Sequence, residues 1–282
     1  MTATTQRAPE RAAPAVPAPS WASLLAVVRR GLRDHRRAWL TWGGPLGAMS
    51  ALMAAMWPSV EGTITDALEN YPEGLKEAFN IREITTVEAY IDAEMMSLIV
   101  PLAVAFLAVR IITRAISGAE EQRHLDTLLA APVARTTLVA GALIVAAIVV
   151  AVVLAVTTLF TWIVAVLAGT DASLAVLARG AANVWPLSML FAGLAVLAAG
   201  RLHRSAQVTA ITTGTLVGMY VVDLLGKLAE PVEPLRYVSA FKYYGSAIQD
   251  GIDPGAFAGV TLAGIGLAVC GAILFQRRDV LA

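Results

Sequence analysis

Long apolar runs without charge alternate with short charged connectors along the chain, and this is the pattern of a protein whose solvent is partly hydrocarbon. A helix needs roughly 20 apolar residues to cross a bilayer. Six runs qualify, at about 39–57, 95–112, 138–167, 183–199, 206–225 and 255–275. The third is long enough to tilt or to extend past the bilayer. Solid apolar runs predict helices, because the strands of a membrane barrel alternate between apolar and polar positions.

Residues 1–19 are rich in Ala, Pro and Thr and predict a disordered tail without the apolar core of a secretory signal. From Ser20 the pattern changes. Ser20 can cap a helix, and Trp21, Leu24, Leu25, Val28 and Leu32 recur at helical spacing with Arg29, Arg30, Arg33, Arg36 and Arg37 between them. Residues 20–37 therefore predict a basic amphipathic helix on the membrane surface, with a helix packed on protein as the alternative. These arginines abut a span and so face phospholipid headgroups rather than nucleic acid. Residues 38–282 then form the membrane domain.

Charge sets the orientation. With a cytoplasmic N-terminus, the inner segments hold Arg7, Arg11, Arg29, Arg30, Arg33, Arg36, Arg37, Arg110, Arg114, Arg123, Arg135, Arg201, Arg204, Arg277 and Arg278, which is 15 of 21 basic residues. Only Glu10, Asp34, Glu120, Glu121, Asp126 and Asp279 are inner acids. Cations crowd cytoplasmic connectors in membrane proteins, so both termini are expected in the cytoplasm. Lys76, Arg82, Arg179, Lys227, Arg236 and Lys242 remain on outer connectors, with Arg179 expected to snorkel at the interface. Trp57, Trp185, Tyr237, Tyr243 and Tyr244 fit an outer aromatic belt.

Composition agrees: 57% of residues are hydrophobic and 15% charged, against about 25% charged in soluble domains. The single Cys270 excludes a disulfide within one chain and reads as a packing residue. His35, His124 and His203 are not spaced as ligands, so no metal is expected. No Ser/His/Asp arrangement or carboxylate pair lies at membrane depth, so no catalytic residue is expected. Asp223 is the exception among ionisable groups. It sits near the outer end of the fifth run, as a candidate pathway residue or an aspartate reached by interfacial water.

The inner connector reads SGAEEQRHLDTLLAAPVAR from Ser117 to Arg135. Leu125, Leu128 and Leu129 form an apolar stripe beside Glu120, Glu121, Arg123 and Asp126, and Pro132 ends the helix. Such a short amphipathic helix suits docking to a soluble partner or resting on the bilayer surface.

This stretch resembles the signature of ABC-2 type permeases, the membrane subunits of type V ABC exporters. Glu120 and Glu121 match the family's acidic pair. Leu125-Asp126, Leu128-Leu129 and Pro132-Val133-Ala134-Arg135 match the rest of the signature, although Arg123-His124 replaces the family's Gly-Thr. YPEGLKEAFNI after the first run, PLRYVSAFKYYGSAIQDG before the last, and the ending FQRRDV are similar to the family's corresponding segments. The resemblance implies six membrane helices, a connecting helix at the N-terminus, a cytoplasmic coupling helix within Gly118–Arg135, and a re-entrant outer segment before the last span. It implies two permeases, identical or related, powered by two copies of a separate ATPase that binds ATP and Mg. The coupling residues would be Glu120, Glu121, Leu125, Asp126, Leu128, Leu129, Pro132 and Arg135.

No G-x-x-x-x-G-K-[ST] phosphate loop occurs, so energy is expected from a partner, and the chain itself is expected to be a transport subunit without cofactor. Gly43 with Gly47 and Gly214 with Gly218 are small-xxx-small pairs, suited either to dimer packing or to packing within the chain. The expected substrate is hydrophobic or amphipathic, such as an antibiotic, drug or lipid, and the expected site is a bacterial cytoplasmic membrane. A secondary transporter driven by ions or protons is the alternative. It would carry midplane charge and internal repeats, which this sequence lacks.

Overall fold

The computed structural model describes residues 21–68, 85–121 and 134–277. Among these the chain is all-helical. We number the α-helices α1 Trp21–Asp34, α2 Gly44–Leu68, α3 Val87–Ile91, α4 Ile99–Glu121, α5 Arg135–Leu167, α6 Leu174–Ala199, α7 Ser205–Leu228, α8 Ala240–Tyr244 and α9 Pro254–Gln276. Two π-helical turns, Trp39–Gly43 and Asp92–Met96, lead into α2 and toward α4, and a 3-10 helix covers Glu230–Val238.

Five helices among the described residues are long and apolar enough to cross a membrane: α4 over Ile99–Gly118, and α5, α6, α7 and α9 over their whole lengths. The first apolar run is helical too, as α2, but α2 is not among these five, and it carries Pro58 and the acids from Glu61 onward. At 33 residues α5 is about 50 Å long, well beyond a hydrocarbon core of about 30 Å. Outward faces remain apolar: Leu52 and Met56 on α2, Val217 and Val221 on α7, Leu262 and Ile265 on α9 are all exposed. Apolar faces on several helices exceed what a soluble monomer shows.

α6 is the centre of the bundle and packs against α4, α5, α7 and α9. Its contact with α9 is the closest. A Cβ added to Gly193 would overlap the Gly264 carbonyl oxygen, and one added to Gly271 would lie 2.5 Å from the Leu197 nitrogen. Gly193 on α6 and Gly200 at its C-cap face Gly264 and Gly271 on α9, both pairs seven residues apart, so the two helices meet backbone to backbone along two turns.

The N-terminal segment runs beside α5 in a steady register. Val27 covers Gly141, Val145 covers Gly31, Val156 covers Gly43 and Phe160 covers Gly47. The expected N-terminal helix is present as α1, which lies lengthwise on α5 through Leu24, Val27 and Gly31 while Trp21 and Arg29 stay exposed. The same register answers what Gly43 and Gly47 do: they receive α5 side chains of their own chain. Gly214 and Gly218 on α7 have no atom of the described chain where a Cβ would point.

The second apolar run is longer as a helix than expected. Ile112, Thr113, Ile116 and Ser117 are buried, so the inward face continues past 112 and carries α4 on to Glu121. Glu120 and Glu121 therefore end a spanning helix instead of lying in a loop. Leu125, Asp126, Leu128, Leu129 and Pro132 lie outside the described residues, as do the tail 1–19 and the segment YPEGLKEAFNI.

Candidate functional site

The polar side chains of the bundle gather at the end formed by residues 85–98, 168–173 and 229–253. Two prolines, Pro231 and Pro234, favour the 3-10 helix after α7 over a longer α-helix. Ser239 then turns the chain back. Its hydroxyl accepts from the Phe241 N–H at 3.1 Å, capping α8, and donates to the Met219 carbonyl at 2.7 Å. Met219 lies nine residues before the end of α7, so the chain has folded back about 14 Å along that helix. Gly245 (φ 56°) and Gly251 (φ 86°) supply the left-handed turns that carry it out again, and Asp253 caps α9 by accepting from Gly255 N–H and Ala256 N–H.

Two elements ahead of it in the chain hold this returning segment. From the π-helical turn Asp92–Met96, the Asp92 carboxylate accepts from the Ser246 hydroxyl and, at 3.1 Å, from the Gln249 side-chain N–H. The Tyr244 hydroxyl donates to the Met96 carbonyl at 3.0 Å. From α6, Arg179 donates to two successive carbonyls, Ala247 at 2.6 Å and Ile248 at 2.7 Å, and Asn183 donates to the Tyr244 carbonyl at 2.6 Å. Gly180 makes room for Ile248, which would lie 2.5 Å from a Cβ there. Arg179 is thus a clamp on the returning segment rather than a snorkelling cation. A fourth tie joins neighbouring turns: Glu88 accepts from the Ser173 N–H at 2.7 Å.

Asp223 belongs to the same cluster. It is 4% exposed and pairs with Lys227 at 3.1 Å and with Arg236 at 3.2 Å. The Arg236 stem crosses α7 at Gly226, where a Cβ would overlap it, and so its guanidinium reaches the carboxylate one turn away. A buried carboxylate between two cations is a satisfied ion pair, and removing either cation leaves an uncompensated charge.

Between these elements lies a cavity of about 50 Å³ lined by Asp92, Ser97, Tyr220, Asp223, Lys227 and Tyr244. A larger one, of about 280 Å³, lies on the other side of Tyr244 and is lined by Asn183, Tyr243, Ser246, Asp250 and Asp253 among others. Burial, and then the nearby Asp92 charge, hold the Tyr244 phenol well above its ordinary pKa. It stays a hydrogen-bond donor at neutral pH.

The expected aromatic belt is only partly a belt. Trp57 is buried and stacks on Tyr90 with ring centres 5.4 Å apart, and Trp185 donates to the Ala147 carbonyl at 3.1 Å. Tyr237 and Tyr243 are exposed. The sequence alone does not single out Asp92, Asn183, Arg236, Ser246 or Gln249. Its available signals are a carboxylate bordering the second apolar run and an asparagine inside the fourth.

At the opposite end, Arg135 enters the bundle as the first residue of α5. It donates to the Phe275 carbonyl at 3.1 Å, and its guanidinium lies 5.7 Å over the Phe275 ring. The far end of the connector that follows Glu121 is therefore fastened to the last turn of α9.

Comparison with curated proteins finds no match to the chain. Comparison with protein families matches residues 30–276 to multidrug efflux system permease Rv1217c, C-terminal domain. That match takes in every helix from the end of α1 to the end of α9, and on it the chain belongs to this family of multidrug efflux permeases.

Proposed function

We propose that the chain is the membrane subunit of an ATP-driven exporter of the ABC-2 type, with α2, α4, α5, α6, α7 and α9 as six spans. α2 qualifies as a span through the uncharged stretch Ala38–Val60, bounded by Arg37 and Glu61. Positive connectors set both termini in the cytoplasm. The site is a bacterial cytoplasmic membrane. The segment Ser239–Gly251 is then a re-entrant outer hairpin held by Asp92, Arg179 and Asn183.

The observation that carries the mechanism is the tie between Arg135 and Phe275. A displacement of the connector Gly118–Arg135 passes to α5 directly and to α9 through this hydrogen bond, and from α9 to α6 through their glycine contact. The connector is the natural grip for a soluble motor, with Glu120, Glu121, Leu125, Asp126, Leu128, Leu129 and Pro132 as the coupling residues. ATP and Mg are held by the partner ATPase, two copies to two permeases, and the side chains here transmit motion between two packed states. Gly214 and Gly218 on exposed α7 are the small residues left for a second permease copy or a related one. The family description points to a hydrophobic or amphipathic substrate, as drugs are.

A secondary transporter would need an acid free to exchange protons or ions. Asp223 is engaged by two cations and lies within about two turns of the end of α7, which suits an ion pair that holds the hairpin.

The test is purification of the full chain in mild detergent from its native host. An ATPase is expected to co-purify, and reversal of Glu120 and Glu121 together to Lys is expected to abolish export while the chain still reaches the membrane. Full export by that double variant contradicts the coupling role.

A further inference from the structure

We propose that the exposed face of α1 is a binding site for anionic phospholipid headgroups at the membrane boundary. The inference rests on the membrane reading alone and stands whether or not an ATPase drives the protein.

Three observations place the site. First, the boundary is fixed by neighbouring helices. The uncharged stretch of α2 and its π-helical turn begins immediately after Arg37. Trp42, just inside it, packs on Phe106 of α4 with ring centres 6.2 Å apart, and Arg110 lies 5.9 Å over that same ring. Arg110 is also the first charge after the apolar stretch Met95–Val109. Arg37 and Arg110 thus lie five and four residues along the chain from this one ring contact.

Second, α1 continues away from that level along α5, held by Val27 in the notch of Gly141 and Val145 in the notch of Gly31. A turn at residues 35–37 separates Arg37 from α1, and from Asp34 back to Arg29 the helix rises about 8 Å. Each headgroup layer is some 5–7 Å deep, by the difference between a whole bilayer and its core. With the reach of an arginine stem, Arg29, Arg30, Arg33, Arg36 and Arg37 all present guanidinium groups to that layer.

Third, all five are exposed, and none of the five is joined in an ion pair among the described residues. The interlock with α5 uses Leu24, Val27, Val28 and Gly31, so the arginines are spare cations that fold stability does not consume. Guanidinium groups recognise phosphate by paired hydrogen bonds, and a fixed helix presents them without the ordering cost of a loose tail.

The experiment uses the full chain in a neutral detergent, titrated with phosphatidylglycerol, with phosphatidylcholine and with inorganic phosphate, reading thermal stability and lipid retained by native mass spectrometry. Phosphatidylglycerol is expected to bind and stabilise, the effect falling with salt, while the other two do much less. Each arginine near an anionic surface contributes about a fivefold factor in affinity. The variant R29Q/R30Q/R33Q is expected to lose phosphatidylglycerol affinity at least tenfold while melting like the parent without lipid, because it touches only exposed side chains. Val27→Leu, which disturbs the α5 notch, should lower stability with or without lipid and so marks what a merely structural defect looks like. Equal binding of the two lipids, equal effect of inorganic phosphate, or undiminished phosphatidylglycerol binding by the triple variant would overturn the proposal.

Discussion

The carboxylate of Asp92 and the hydroxyl of Ser246 are joined by a hydrogen bond across 154 residues of sequence, and both side chains are buried. This bond fastens the hairpin before the last helix to the π-helical turn that precedes α4. Ser246→Ala leaves the buried carboxylate with one fewer donor. It is expected to lower stability by about 1.5–3 kcal/mol, the range for hydrogen bonds to charged groups. Thermal unfolding of the purified chain checks this, and an unchanged melting temperature counts against the latch.

Arg179 serves the Ala247 and Ile248 carbonyls at once with different nitrogens of one guanidinium. A lysine has a single ammonium on a flexible stem and cannot reproduce that fork. Arg179→Lys is therefore expected to speed amide hydrogen exchange in residues 244–251 roughly tenfold, equivalent to about 1.4 kcal/mol of lost local stability. Exchange elsewhere in the bundle should be unaltered. Uniform loosening would show that Arg179 supports the whole fold and not this segment.

The glycines divide into those that a Cβ cannot enter and those it can. Gly264→Ala puts a methyl group 2.9 Å from the Leu190 Cα and the Met189 carbonyl oxygen, both backbone atoms that cannot rotate away. The expected cost is about 3 kcal/mol, at the upper end for overpacking. Gly214→Ala meets open space and should change monomer stability by less than about 0.5 kcal/mol. Melting temperatures of the two variants in detergent decide it, and similar values would contradict the α6–α9 crossing.

Tyr244 makes a prediction with pH. Its phenol is raised above the ordinary value by burial first and by Asp92 second. A raised folded value means that the folded protein holds the proton more tightly than the unfolded chain does. The contribution is complete below the unfolded value of about 10 and disappears as pH climbs beyond it. Tyr244→Phe removes this dependence along with the hydrogen bond to Met96, so it should melt lower at neutral pH but decline less between about pH 9 and 11. Parallel declines in the two proteins would contradict the assignment.

Much of this architecture is legible as runs of uncharged residues, since a bilayer demands the same length and apolarity of each span wherever it lies in the chain. Helix ends are less so. Glu120 and Glu121 look like loop residues by charge, yet the burial of Ile116 and Ser117 keeps α4 going beneath them. Contacts between distant segments are least legible. The small-xxx-small pairs draw attention to Gly43, Gly47, Gly214 and Gly218, whereas the tightest crossing uses Gly193, Gly200, Gly264 and Gly271, whose seven-residue spacing acquires meaning only when α6 and α9 lie side by side. Asp92 borders an apolar run and has the charge of a loop residue. Its partners Ser246 and Gln249 can be named only once the hairpin has folded back onto it.

The most direct test of the exporter reading is transport by the purified chain in liposomes, with and without the ATPase that co-purifies with it, using a fluorescent lipophilic compound. The account predicts transport only when both subunits and ATP are present, and a rate reduced at least tenfold when Arg135→Ala uncouples the connector from Phe275. Transport by the chain alone under a proton gradient would contradict it.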